Sequence, residues 1–509
     1  MLKLAKHTYN SFTKWVYNVL YDQVYQRKLN SPLGYMTLLF VSLVIAVGVA
    51  KIHFLVGIGI VAGLIGIATV FACLFETKLG FYLSTGVSFF VFYLNRMVND
   101  ALPVGILIDV MIFMNFTGIY FRKTLIRERY WQYSKNPITY IYFIYLAFML
   151  VEAFNPSMYS IGGWIFAFRK YLNFMMIYFV ALHVFESFDD VKQFFKIWLS
   201  LCALSGFYGV FQQWVGLLPF EEYWVVSDPL KYRLYFQGGT IRKFSFLSDP
   251  TSYGILMAST ALSAIALAMG PVSKKHRRYL LIGALGMMLG MAFSGTRTAY
   301  AMLPAGLVLY IMMTITSRKT LAFAIISTMV FVVVIFGPFH SNGTINRIRS
   351  TFQSEDESLN VRDVNRHYIQ PYIWRHPLGG GMSTSGVGGE IYNPGHPLAG
   401  FPPDSGFLKT ALEAGWVGLI LGCILYFIVM QTGIRQYYRT RNPELRTYYL
   451  AIMVNIFSMI IANYAQVAIG QIPGAFMFYG SLAMIIKLRS FDTNTQTENK
   501  SVLNKTELK

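Results

Sequence analysis

The chain has 509 residues, of which 55% are hydrophobic and only 13% charged, and its mean hydropathy is +0.46. That balance excludes a soluble protein of this size and points to a multi-span membrane protein. A formal charge of +19 would suit a nucleic-acid binder, but the Lys and Arg lie mostly in short connectors between apolar runs, where they set membrane orientation.

Residues 1–32 alternate basic, aromatic and apolar side chains, with no compact apolar h-region and no small-residue cleavage site. They read as a retained cytoplasmic interfacial segment. Apolar runs follow at 33–50, 52–75, 79–95, 101–121, 137–154, 161–185, 194–215, 251–270, 279–294, 298–316, 321–337, 407–430, 448–469 and 472–487. Hydrocarbon about 30 Å thick admits such runs only as helices, because no water is there to satisfy the backbone. The expected fold is an all-α polytopic membrane protein of about 14 transmembrane helices, 12 if the weak third and fourth runs are not spans.

The basic connectors at 121–135, 273–278, 317–319 and 435–446 fall on one side of this count, together with both termini, and that side is expected to be cytoplasmic. The organisation is then a bundle at 33–337 with an external loop at 216–250, a large external loop at 338–406 before the third-last helix, and C-terminal helices at 407–489. The polar stretch 490–509 reads as a disordered cytoplasmic tail. Cys73, Cys202 and Cys423 each sit inside an apolar run without CxxC spacing, so neither disulfides nor a metal site is expected. The segment LGGGMSTSGVGGE lacks the GK[ST] ending of a P-loop and reads as a flexible loop that moves over substrate.

Basic residues on the external face run against the orientation rule, and they are numerous: Lys231, Arg233, Arg242, Lys243, Arg297, Arg347, Arg349, Arg362, Arg366 and Arg375. Such a set suggests an anionic ligand. Against it stands the reading that Glu355, Asp356, Glu357 and Asp363 neutralise Arg347 and Arg349. Arg297 lies in FSGTRTAYAM, a turn of small residues opening a helix, where a guanidinium fork and a helix N-terminus both favour phosphate. Head-group snorkelling is its structural alternative. Arg242 begins RKFSFLSDPTSYGILM, in which Asp249 and Pro250 form an expected N-cap with proline at the first helical position.

Four pieces of the C-terminal half resemble the O-antigen ligase and Wzy-type O-antigen polymerase superfamily: the turn from Arg242 to Gly254, SGTRTA at Ser294 to Ala299, YIWRHPLGGG at Tyr372 to Gly381, and DSGFLKTALEAGWVGL at Asp404 to Leu419. They occur in the family's order with a long loop where the family has one. The resemblance implies a polyprenyl-diphosphate-dependent glycosyltransferase of the bacterial inner membrane. It would move a glycan from undecaprenyl diphosphate to an acceptor hydroxyl on the periplasmic face, with lipid A core as acceptor in a ligase and another lipid-linked glycan in a polymerase. The product would be O-antigen in lipopolysaccharide, capsule or exopolysaccharide. No cofactor is implied, since the sugar–diphosphate bond is already activated, and other polysaccharide assembly proteins are expected partners.

Within that resemblance Arg242 and Arg297 match the arginine turns and are expected to stabilise the departing diphosphate. Lys243, Arg366, Arg375, His376 and Trp374 are further candidates for substrate contact. The proton of the acceptor hydroxyl needs a base. The family's usual residue is a His at the start of the helix carrying L..E.G..G, and this sequence has Asp404 there, which favours polymerase over ligase. Asp404 can be a plain N-cap, a cap that also contacts substrate, or the base, with His396 and His376 as alternative bases. Glu413 reads as a packing or arginine-pairing residue. The competing functional classes are a transporter or flippase for an anionic lipid-linked glycan, which would require paired broken helices, and a catalytically silent member of an assembly complex.

Overall fold

The computed structural model describes residues 30–51, 55–101, 104–126, 134–237, 239–338, 343–352 and 357–506. The expected interfacial segment therefore falls almost wholly outside the described residues, as do Glu355 and Asp356. The chain divides into two compact units, one of residues 1–84 and 106–133 and the other of residues 85–105 and 134–509.

The first unit holds α1 (Pro32–Lys51), α2 (Leu55–Phe75), the first part of α3 (Thr77–Met97) and most of α4 (Val104–Ile126). Inside it Asn115 of α4 donates to the Ser84 hydroxyl at 3.2 Å and to the Met111 carbonyl at 3.1 Å, which satisfies the donors of a buried amide in an apolar setting. The second unit carries the elements that build the site. In chain order these are α5 (Pro137–Val151), α6 (Ile161–Val184), α7 (Phe188–Trp214), the short α8 (Pro219–Val226) and α9 (Pro229–Tyr235), and a two-stranded antiparallel ribbon of β1 (Phe236–Gln237) and β2 (Thr240–Ile241). Then follow α10 (Pro250–Ala268), α11 (Lys274–Phe293), α12 (Arg297–Thr314), α13 (Arg318–Phe336), α14 (Gly343–Ser350), α15 (Glu357–Arg375) and α16 (Gly386–Tyr392). The chain ends with α17 (Gly406–Glu413), α18 (Gly415–Arg439), α19 (Pro443–Ala465) and α20 (Gly474–Thr506).

Among the described residues, seven helices are long and apolar enough to cross a membrane: Gly105–Thr124, Pro137–Phe154, Ile161–Val184, Phe188–Trp214, Pro250–Ala268, Gly415–Arg439 and Pro443–Ala465. Shorter apolar helices cover Pro32–Val47, Gly63–Phe75 and Thr320–Phe336. The all-helical membrane class stands on these.

Helix α10 is the centre of the second unit, packed by α7, α11, α12 and α19. Its run of Ala, Ser, Gly and Thr has no bulk to hold neighbours away, and small residues are what close helix contact in a membrane requires. Tyr253 shows the tightness: its hydroxyl lies against the Ser205 carbonyl of α7 at 3.2 Å, in a groove made by Gly206, Gly209 and Gly290.

Three local expectations change. The run 407–430 is broken at Ala414, giving α17 and α18, because residues 377–381 dock backbone to backbone on the break. The Gly380 and Gly381 amides donate to the Leu412 and Glu413 carbonyls at 2.8 and 2.9 Å. Gly415, at φ +66°, is the residue this needs, since a Cβ there would fall inside the Pro377 carbonyl. The glycines of LGGG thus serve close packing, and the loop they belong to is anchored there. The tail is also helical, to Thr506: between Ser481 and Thr506 there is neither Gly nor Pro to end the helix.

Candidate functional site

The turn Arg242 to Asp249 is fixed from beneath by a residue that sequence reasoning missed. Arg96, buried at the end of α3, donates to the Ser245 and Leu247 carbonyls at 2.6 and 2.9 Å, and its guanidinium lies 4.6 Å from the Phe244 ring centre. Ser245 sits at φ +51°, a costly conformation for a residue with a side chain, and is held there by Gln212, which accepts its amide at 2.8 Å. The only signal in the sequence was an arginine closing an apolar helix. Asp249 is the expected N-cap, accepting the Thr251 and Ser252 amides at 2.9 Å each, with Pro250 first in the helix.

The SGTRT turn docks on this one. Gly254 leaves the space into which Ser294 and Thr296 pack, and Thr296 donates its hydroxyl to the Pro250 carbonyl at 2.9 Å. Arg242 completes the joint, donating through Nε to the Ser294 carbonyl at 2.8 Å and through Nη2 to the Thr296 hydroxyl at 2.9 Å.

Above the joint lies a cavity of about 1220 Å³, walled by the end of α7, the β1–β2 ribbon, the SGTRT turn, α14 and Gln466 after α19. Arg242, Arg297 and Arg347 all line it, and among the described residues no carboxylate does. Arg347 reaches in from α14, donating to the Gly295 carbonyl at 2.8 Å and to Gln237. Gly295, at φ +61°, is flanked by the Arg347 and Arg242 side chains. Burial, followed by the neighbouring charge of Arg347, brings the Arg242 guanidinium down to about 10, although Asp249 opposes the shift. It remains a cation at neutral pH.

The other predicted residues disperse. Lys243 is buried outside the cavity, its charge facing Glu221, and burial lowers its ammonium below the ordinary lysine value. Arg349 holds the end of α13 through the Val334 and Gly337 carbonyls. Arg366 forks onto Tyr464, at 3.0 Å to its hydroxyl and 3.1 Å to its carbonyl, near the end of α19. Arg375 and Trp374 are exposed, and His376 stacks on Tyr372 with ring centres 4.0 Å apart while Nδ1 meets the Tyr372 carbonyl at 2.9 Å. Glu413 accepts the Ser385 hydroxyl at 2.5 Å in a buried position.

Asp404 is not the cap of its helix. Ser405 is, accepting the Leu408 amide at 3.3 Å and donating its hydroxyl to the Asn463 carbonyl at 3.1 Å. The Gly406 amide donates to the Gln466 carbonyl at 3.2 Å. Gly406 is thus tied to a residue that walls the arginine cavity, and Asp404, two residues before it and so at most roughly 7 Å away, does not line that cavity. It is half-buried and makes no hydrogen bond or ion pair with the described residues.

His396 is buried, with the Leu398 amide donating to Nδ1 at 3.1 Å and the Tyr159 ring packed edge-on at 5.1 Å. Burial holds its imidazole below the ordinary histidine value, His376 adds to this, and the Ser157 backbone works against it. The unfolded chain then binds the proton more readily, so stability is full above the ordinary value of about 6.5 and falls as the pH drops below it. His396→Asn, which keeps an acceptor for Leu398, is expected to flatten the loss of thermal stability between pH 7 and 5 in detergent. An unchanged acid slope would show that another group titrates.

Residues 280–423 match the family model described as O-antigen ligase. The match takes in three of the four sequence pieces and Arg297, Arg347 and Asp404, while Arg242 lies before it. It bears out the resemblance to the O-antigen ligase and polymerase superfamily over that stretch, under a third of the chain. No curated protein matches the chain.

Proposed function

We propose that the protein transfers a saccharide from undecaprenyl diphosphate to an acceptor hydroxyl on the periplasmic face of the bacterial inner membrane, as a glycan polymerase or ligase. The observation that carries this reading is the cavity with Arg242, Arg297 and Arg347 together in its wall. A diphosphate is the anion that such a set suits, because planar guanidinium forks match phosphate oxygens and a helix N-terminus, here that of α12, adds its dipole.

The chemistry follows from the charges. As the acceptor oxygen bonds to the anomeric carbon, the bond from that carbon to the phosphate oxygen breaks and its electron pair stays on the diphosphate. Cations fixed at that place interact more strongly with the developing charge than with the ground state. Asp404, two residues before the Gly406 amide that bonds the Gln466 carbonyl, takes the acceptor proton. The absence of a His at this position favours polymerase over ligase, with O-antigen, capsule or exopolysaccharide as the product.

The test is transfer in detergent, without ATP, from a labelled undecaprenyl-diphosphate glycan to a second glycan or to lipid A core. Longer or ligated product is expected, and its absence with both acceptors overturns the reading.

A further inference from the structure

A second cavity, of about 400 Å³, lies between α5, α6, α17, α18 and α20, roofed by the segment 382–388. Its floor is aromatic: Tyr479 stacks on Tyr142 at 5.9 Å and on Phe174 at 4.8 Å, with the planes 11° and 13° apart. Its upper wall is polar. Lys409 lines it half-buried, with no side-chain partner among the described residues, and Glu413, one turn on, uses a single carboxylate oxygen for Ser385. The roof is held in place, since the buried Asn393 accepts the Tyr159 and Ser160 amides at 3.0 and 2.9 Å and donates to the Ser383 carbonyl at 3.0 Å.

This is not a packing defect. Interiors leave few voids larger than a water molecule, and those that stay empty are apolar, whereas ionisable walls require water or a polar ligand. A lipid chain would leave Lys170, Lys409 and Glu413 in an apolar setting, and a diphosphate, though it would suit the two lysines, would meet the Glu413 carboxylate. A sugar ring matches both halves of the wall, its C–H face lying on aromatic rings and its hydroxyls reaching lysine, carboxylate and amide groups.

We propose that this cavity binds a saccharide, the terminal sugar of the acceptor glycan, separately from the arginine cavity; its role as acceptor site rests on the transferase reading. The end of α19 joins the two sites. Asn463 lines the saccharide cavity and Gln466 lines the arginine cavity, Ser405 bonds the first and Gly406 the second, and Asp404 directly precedes them in the chain.

The probe is the oligosaccharide of the host's own surface glycan, released from lipid and phosphate by mild acid, with the full-length protein in nanodiscs. Lys409→Ala is expected to weaken its binding about tenfold, the loss of one hydrogen bond to a charged group. Gly388→Phe, which fills the cavity from a roof position where a Cβ would make only ordinary contacts with Ser383, is expected to abolish it. Undecaprenyl diphosphate without sugar should bind both variants as it binds the parent, and Arg297→Ala should show the reverse pattern. Oligosaccharide binding left intact by both cavity variants overturns the site, even where transfer is active. Binding that depends on Lys409 in a protein without transfer activity keeps the saccharide site and overturns the transferase reading alone.

Discussion

Arg297→Ala is expected to lower product formation by about 10²- to 10³-fold, the loss typical of one charge-stabilising donor, while the protein accumulates in membranes at the parental level. Arg242→Ala should lose as much, with a second cost, because its side chain also joins the two turns through Ser294 and Thr296. Arg242→Lys separates these roles. It keeps a cation in the cavity but loses the fork, so it should recover part of the diphosphate binding and little of the rate. Arg347→Ala should be the mildest of the three, since it removes one cation and also the repulsion that holds Arg242 down. The measurements are initial rates with lipid-linked glycan and immunoblots of the membrane fraction. Parental rates in both Arg297→Ala and Arg242→Ala would remove the diphosphate from this cavity.

Much of this cavity was legible because its parts are local. Asp249 and Pro250 announce a helix start wherever they stand, and the SGTRT turn declares itself by small residues before an apolar run. That these two turns touch is carried by Gly254, whose absent side chain leaves the space for Ser294 and Thr296 and has no local consequence to read. Arg347 was illegible for a different reason. Nearby acids offered it an ordinary partner, and its placement depends on the path by which α14 returns to Gly295, some fifty residues away in sequence. The break at Ala414 was hidden in the same way, because hydropathy averages across it and its cause lies in the backbone of residues 377–381. Local propensity also could not separate Asp404 from Ser405, both good capping residues. The choice is tertiary: the Ser405 hydroxyl finds the Asn463 carbonyl, and Gly406 is small enough to lie against the Asn463 side chain.

That choice makes Asp404→Asn a clean experiment. Were Asp404 the cap, losing its charge would disturb the start of α17 and confuse stability with rate. Ser405 does the capping instead, and Asp404 has no hydrogen bond or ion pair among the described residues to lose, so the near-isosteric variant should fold and melt like the parent. As the base, it should nevertheless cost about 10²- to 10⁴-fold in turnover, the usual contribution of a positioned proton acceptor. Binding of undecaprenyl diphosphate, which belongs to the arginine cavity, should be unchanged. Ser405→Ala is the control of opposite character: it should cost about 1 kcal/mol of stability through the lost cap, with a smaller effect on turnover per molecule folded. If Asp404→Asn keeps the parental rate, a second carboxylate or a histidine must accept the proton. His376 is then the candidate to replace, since its Nδ1 is engaged by the Tyr372 carbonyl and its remaining nitrogen would be the acceptor.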